Sequence, residues 1–395
     1  MTKRAYGDGG IDQRGENSFR LRYRIGKQRY SVTFQGTLAE ARTELRRLLR
    51  TVDTKEHIAP DRGTLADWTQ RWIEAGAPGQ KRQAVGDVTL EKYARLLRVH
   101  VLPVLGSLKL QELDGADIDR LYRGLQCAPR TARQIHSTLN ACLASAVRVK
   151  KLAVNPMQTV ATIPSGGESD HGIALDDEQL RILVRGFKGS ALFPIVSVAA
   201  FTGMRRNEVL ALRWSDLDIQ NKTLRIERSI ESTLKHGLRF KGPKTERGKR
   251  SIAINDDLIA LLASVKDCHL RLKAGVPDDN AQVDLSLIRL PEKALMFPSP
   301  PALADGNFEA PRHGVTISRD FARVAAKLGF PGLRFHDLRG THGTSLLDRG
   351  VPVHTVAARL GHDPATLLRS YAKRTRKADT SVASIIGSIS KSILG

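Results

Sequence analysis

The stretch LGHDPATLLRSYAK (residues 360–373) sets Tyr371 nine positions after His362, with Arg369 before it and Lys373 and Arg374 after it. The chain has six tyrosines, and Tyr371 is the only one after Tyr122. A free phenol has a pKa of about 10 and is a poor nucleophile at neutral pH. Fixed cations nearby favour its anion. The stretch therefore offers a tyrosine nucleophile. It also reads as a half-buried helix tyrosine with a solvated basic edge.

Two other stretches offer phosphate ligands. In TGMRRNEVLALRW (202–214), Arg205 opens a helix and Glu208 follows three residues on. In FHDLRGTH (335–342), His336 and Arg339 are i, i+3 and share a helical face. Between them in sequence lies a basic loop, FKGPKTERGKR (240–250), which holds Lys241, Lys244 and Lys249. Two arginines can fork onto the nonbridging oxygens of a phosphodiester and stabilise the charge of a pentavalent transition state. Two histidines, His336 and His362, can donate to the phosphate or move protons. A lysine can protonate the leaving oxygen. Each part alone is common; their order and surroundings are specific.

The chain that must position these groups has 395 residues, a net charge of +22 and a pI near 10.3. The length suggests two or three domains. The charge implies a polyanionic partner, nucleic acid first and an anionic membrane surface as its rival. No run of 18 apolar residues occurs, and MTKRAYGDGG lacks the apolar core of a signal peptide, which predicts a soluble cytoplasmic protein. Cys127, Cys142 and Cys268 are widely spaced and form no CxxC, against a disulfide framework or a zinc site. No GxxxxGK[ST] loop appears, against an ATP-driven motor, and no repeat of 20 to 50 residues is visible.

The predicted architecture is multidomain and mainly α with small β-sheets. Residues 1–57 form a β-rich module with 13 basic and 7 acidic residues in the first 60. In FRLRYRI, Phe19, Leu21, Tyr23 and Ile25 fall on one face and Arg20, Arg22 and Arg24 on the other, where they suit DNA or an ordinary solvated face. Gly26-Lys27 turns the chain into QRYSVTF, and a capping box at Thr37 and Glu40 opens a helix to about Val52. Residues 62–160 read as helical: a capping box at Thr64, Trp68 and Trp72 stacked at i, i+4, a helix from Thr89 that stops at Pro103, a short helix from Asp117, and a long one over 129–150. Arg130 and Arg133 make the start of that long helix basic. SGGESDHG (165–172) reads as a linker. Residues 172–395 carry the chemistry. Helices are predicted from Asp176 or Asp177 to Phe187, over 192–202, and near 256–273, 315–328, 337–349 and 352–360. Strands are predicted at TLRIERSI, RSIAI and ALMF. In the tail, Val382, Ile385, Ile386, Ile389 and Ile393 recur at helical spacing and want a groove, on this chain or on a neighbour.

These motifs resemble the tyrosine recombinase (phage integrase) family. TGMRRNE looks like its first arginine motif, GPKTERGKR its β-hairpin lysine segment, HDLRGTH its His-x-x-Arg box, and LGHDP with Tyr371 its final His-to-Tyr spacing. The resemblance implies that Tyr371 attacks the scissile phosphate and becomes a 3′-phosphotyrosine. It implies that Arg205 and Arg339 clamp the phosphate, and that Lys244, favoured by its Pro-Lys-Thr context, is the general acid. His336 would be base or phosphate ligand, His362 a phosphate donor, and Glu208 a structural partner of Arg205. It implies no metal and no nucleotide cofactor, because the phosphotyrosine conserves bond energy. Residues 62–160 look like the helical core-binding domain of the family, and residues 1–57 look like the arm-binding module of lambda-like integrases, a three-stranded sheet and a helix. The implied partners are double-stranded DNA at crossover and arm-type sites, a homo-tetramer on DNA, and accessory DNA-bending proteins. One departure is Gly340, where family members often carry a basic or His residue after the second arginine; His342 nearby reads as structural.

Two alternatives share these residues. A type IB topoisomerase-like enzyme would use the same tyrosine chemistry with strand rotation. A catalytically decayed relative would only bind DNA. The N-terminal sheet and the apolar tail favour the integrase of a phage or integrative element.

Overall fold

The computed structural model describes residues 9–53, 58–164, 172–243, 248–276, 284–365 and 367–368. Lys244, Tyr371, the linker core and the apolar tail lie outside the described residues. The chain forms two compact units, residues 1–169 and 170–395.

The first unit holds two separate apolar cores. One belongs to an antiparallel sheet, β1 (Gly10–Gly15), β2 (Ser18–Ile25) and β3 (Gln28–Gln35), in the order β1-β2-β3, covered by α1 (Leu38–Asp53). The period-2 alternation works as expected: Phe19, Leu21 and Tyr23 are buried with Leu45 and Leu48 of α1, and Arg20, Arg22 and Arg24 are exposed on the other face. The register sets Arg24 directly opposite Arg29. Like charges so opposed are unfavourable in themselves.

The other core gathers α2 (Leu65–Glu74), α3 (Asp87–Leu96), α4 (Leu102–Leu105), α5 (Gly115–Gly124) and α6 (Pro129–Arg148). Capping boxes start α2 at Thr64 and Asp67, and α5 at Asp114 and Asp117. Trp72 stacks on Tyr93 with ring centroids 5.8 Å apart, and the Trp68 indole donates to the carbonyl of Cys142. Both are core residues. The helix expected to stop at Pro103 instead continues: a π-helical turn (Leu97–Val101) joins α3 to α4, and Pro103 sits in the first turn of α4. Proline brings no N–H, and its ring crowds the carbonyl four residues back. Widening the preceding turn to i→i+5 relieves that crowding without ending the helix. Arg130 and Arg133 are exposed on the first turns of α6.

The second unit is built on α7 (Asp177–Gly186), α8 (Phe193–Thr202), α9 (Arg206–Val209), a sheet of β4 (Leu217–Asp218), β5 (Thr223–Ile226) and β8 (Arg250–Ala253), and a hairpin of β6 (Ser229–Thr233) and β7 (Gly237–Lys241). Then come α10 (Asp256–Ala274), α11 (Pro300–Ala304), α12 (Gly314–Lys327), α13 (Asp337–Asp348) and α14 (Val353–Leu360). α8 is apolar all round and runs through the core, which Phe187, Phe321 and Phe335 also fill. TLRIERSI is not one strand. Its Glu227-Arg228 step is a break, where Arg228 turns in to the buried Asp216, and the halves join different sheets. ALMF is not a strand either. It lies between Pro291 and Pro298, too short a run for a ladder, and makes a single bridge, Leu295 to Arg213.

Candidate active site: an arginine cluster at the end of α14

α8 ends at Gly203, whose φ of +67° suits glycine. A Cβ there would meet Leu360 at 2.5 Å and His342 at 2.7 Å. This tight turn delivers Arg205 to the N-cap of the one-turn helix α9. Glu208, on the same turn, is buried. It accepts from the Arg205 backbone N–H at 2.9 Å and from its Nη1 at 2.8 Å. Oε2, which takes the Arg205 backbone N–H, also accepts from Arg250 Nη2 at 2.8 Å. Arg250 lies at the start of β8 with its side chain only 7% exposed, against 42% for Arg205. Burial pushes the Glu208 pKa up, but Arg250 and Arg205 outweigh it and the net shift is downward.

Arg339 comes from the first turn of α13 and is 2% exposed. Its Nη1 donates to the carbonyl of Gly203 at 2.8 Å and its Nη2 to that of Leu360. Burial, then the neighbouring Arg205, lowers its pKa to about 9. His336 forms the N-cap of α13, with the loop before it fixed by Arg334, which pairs with the buried Asp337 at 3.0 Å. His336 keeps an exposed edge, yet the surrounding protein and then Arg339 lower its pKa. His362 follows Gly361, which ends α14 at φ +64°. Burial first, then Arg339 and Arg205, lower the His362 pKa to about 3. Among the described residues, Arg339 Nε and His362 Nδ1 are buried and find no hydrogen-bond partner.

The structure thus brings Arg205, His336, Arg339 and His362 into one electrostatic neighbourhood. Arg20, Arg22, Arg24, Arg130 and Arg133 are surface residues of the other unit. Of the three lysines in the basic loop, Lys241 is bound to Glu231 at 3.0 Å, Lys249 is exposed, and Lys244 lies outside the described residues. His342 is structural: its Nδ1 lies 3.0 Å from the carbonyl of Ala200, and its Nε2 accepts from Arg359. Sequence reasoning missed Arg250 as a site residue. It stands in the basic loop motif, but nothing local marks it as the partner of Glu208.

A cationic cluster with one buried carboxylate and two histidines of lowered pKa suits a phosphodiester. Residues 190–377 match the model of the phage integrase family. This match, with the relatives below, supports a tyrosine recombinase, a site-specific DNA recombinase by class. A XerC-like tyrosine recombinase of Caldanaerobacter subterraneus subsp. tengcongensis is 26% identical over 318 residues, 76% of each chain. An integrase of Streptomyces ambofaciens is 24% identical over 412 residues, 98% of each chain. In fold, the chain is similar to the Tn1549 transposon integrase bound to circular intermediate DNA, with a TM-score of 0.63 at 17% identity over 82% of this chain and 99% of that one. It is also similar to a lambda integrase dimer bound to a COC′ core site, with a TM-score of 0.56 at 15% identity over 95% and 98%. The expected fold, mainly α with small sheets, holds.

Proposed function

We propose that this chain cuts and rejoins double-stranded DNA through Tyr371. The phenolic oxygen attacks the scissile phosphorus, a P–O(Tyr) bond forms, and the bond to the 5′-oxygen breaks. Lys244 gives its proton to that oxygen, and His336 receives the phenol proton. Arg205 and Arg339 hold the nonbridging oxygens as charge builds, and His362 donates to the same phosphate. A 5′-hydroxyl from the exchanging strand reverses the step. The observation that carries this reading is Arg339: a guanidinium 2% exposed, held by two carbonyls, with its Nε unpartnered among the described residues. A buried cation held by neutral acceptors keeps its charge for an anion.

In the same reading, residues 1–57 bind arm-type DNA through Arg20, Arg22 and Arg24, and residues 62–160 bind the crossover site with Arg130 and Arg133. Residues 172–395 carry catalysis, and four copies act together on DNA in the cytoplasm, with accessory DNA-bending proteins. No helix among the described residues is long and apolar enough to cross a membrane. The test is covalent trapping on a nicked half-site cut from the repeats that flank the encoding element. The wild type should form an adduct, and Tyr371→Phe, which loses only the hydroxyl, should bind the DNA and form none. Adduct formation by the Phe variant would refute the nucleophile. Equal relaxation of supercoiled DNA with and without the site would favour the topoisomerase-like alternative.

A further inference from the structure

Three arginines of the site end on consecutive backbone carbonyls. Arg250 Nε donates to the carbonyl of Arg359 at 2.8 Å, Arg339 Nη2 to that of Leu360, and Arg205 Nη2 to that of Gly361 at 3.4 Å. These carbonyls lie where α14 stops, so the helix itself does not use them all. They also carry the negative end of the helix dipole. The turn is a rack on which the whole cluster hangs, and a shift of the turn shifts all three guanidinium groups.

The side chain of Arg359 ties that turn to its surroundings. Its Nη1 donates to the carbonyl of Ala253 at 3.1 Å, its Nη2 to that of Phe201 at 3.2 Å, and its Nε to His342 Nε2 at 3.0 Å. An arginine N–H can only donate, so His342 Nε2 is the acceptor, and His342 Nδ1 carries the proton it gives to the Ala200 carbonyl. Each element Arg359 reaches bears a site arginine or leads directly into one. β8 carries Arg250, three residues before Ala253. The end of α8 leads through Gly203 to Arg205, and α13 carries Arg339 less than one turn before His342.

We infer that Arg359 is the positioning residue of the arginine cluster: its guanidinium locks β8, α8 and α13 to the carbonyl turn and so sets the spacing of Arg205, Arg250 and Arg339. It touches no reacting atom and acts through the three. The inference rests on the recombinase reading of the site and assigns a role to a residue that reading does not use. Three separated acceptors need a planar fork, which lysine cannot reproduce.

The experiment uses the full-length protein and two nicked half-site DNAs. One has a normal scissile phosphate, the other a methylphosphonate there, which has no negative charge for the arginines to hold. Adduct formation is followed in single turnover at saturating DNA, with DNA affinity and thermal melting in parallel. Arg359→Met should bind DNA within about threefold of wild type, because many other cations hold the backbone. On the phosphate it should form adduct roughly 10- to 100-fold more slowly, the scale of an ångström-size misplacement. On the methylphosphonate its deficit relative to wild type should largely close. Arg359→Lys should fall between the two; because it keeps charge and length, it carries the same comparison if the Met variant does not fold. Adduct formation at the wild-type rate by both variants overturns the inference. An equal deficit on both DNAs also overturns it, since a general structural role is blind to the charge of the phosphate. Failure of the wild type to form an adduct on the phosphate would refute the recombinase reading itself, and the inference with it.

Discussion

Replacing Glu208 with glutamine tests the charge balance of the cluster. The substitution keeps shape and removes one negative charge that two guanidinium groups share. The Arg205 half of the pair is 42% exposed, so solvent screens it and its loss costs little, about 0–1 kcal/mol. The Arg250 half is different: both side chains are under a tenth exposed, and removing one partner of such a pair costs about 3–5 kcal/mol. At about 2–4 °C per kcal/mol for a unit of this size, the calorimetric transition of the second unit should fall by roughly 6–20 °C. The Glu208 pKa is held down in the folded protein, so its stabilisation is present in full above the ordinary glutamate range and is lost as pH falls through its lowered folded value. The gap between wild type and Glu208→Gln should therefore be widest near neutrality and narrow in acid. Adding Arg250→Met to Glu208→Gln should recover part of the loss, because the buried charge goes with its partner. A Glu208→Gln transition within 2 °C of wild type at neutral pH, or strictly additive losses in the double variant, would refute the reasoning.

Three further outcomes follow from the same geometry. His362, held to a pKa of about 3 in the free protein, should stay neutral above pH 5 in an NMR titration; because the unfolded chain takes up this proton from about 6.5 downward, stability falls as pH drops through that window, and binding of a phosphate should raise the His362 pKa. Arg205→Lys and Arg339→Lys keep the charge but lose the fork, so single-turnover cleavage should fall about 100-fold or more while gel-shift affinity changes little; equal losses in both assays would make them general DNA contacts. Deletion of residues 1–57 should leave half-site cleavage intact and abolish binding to separate arm-type DNA in footprinting, and normal recombination of full attachment sites by the truncated chain would refute the assignment.

What was legible in the sequence is what local spacing encodes. Arg20, Arg22 and Arg24 alternate with Phe19, Leu21 and Tyr23, and the sheet shows that alternation as exposed and buried faces. His336 and Arg339 are close because three residues make most of a helical turn. Glu208 and Arg205 pair for the same reason. Misses arise where a distant contact decides. ALMF has strand composition, but its neighbours are Leu212, Trp214 and Phe308, and no ladder continues past its flanking prolines. Pro103 signals a helix end, yet a π turn absorbs it. Arg250 looks like one more cation in a basic loop; only the fold reveals that Glu208, 42 residues away, faces it. Arg359 carries no local mark at all, because two of its acceptors are main-chain carbonyls, which every residue has, and the third, His342, lies 17 residues away.

The choice of those acceptors bears on function. An arginine held by a carboxylate loses its net charge to its partner, and a cluster held that way would present little field to a phosphate. Here the carbonyls of Gly203, Arg359, Leu360 and Gly361 fix the guanidinium planes without cancelling formal charge. Glu208 offsets one charge of the three, so the cluster remains cationic. Burial first, and the positive charge of the neighbouring arginines second, depress the pKa values of His336, Arg339 and His362. Geometry set by neutral dipoles and charge left for the ligand are both needed by a site that must stabilise an oxyanion at the moment it forms.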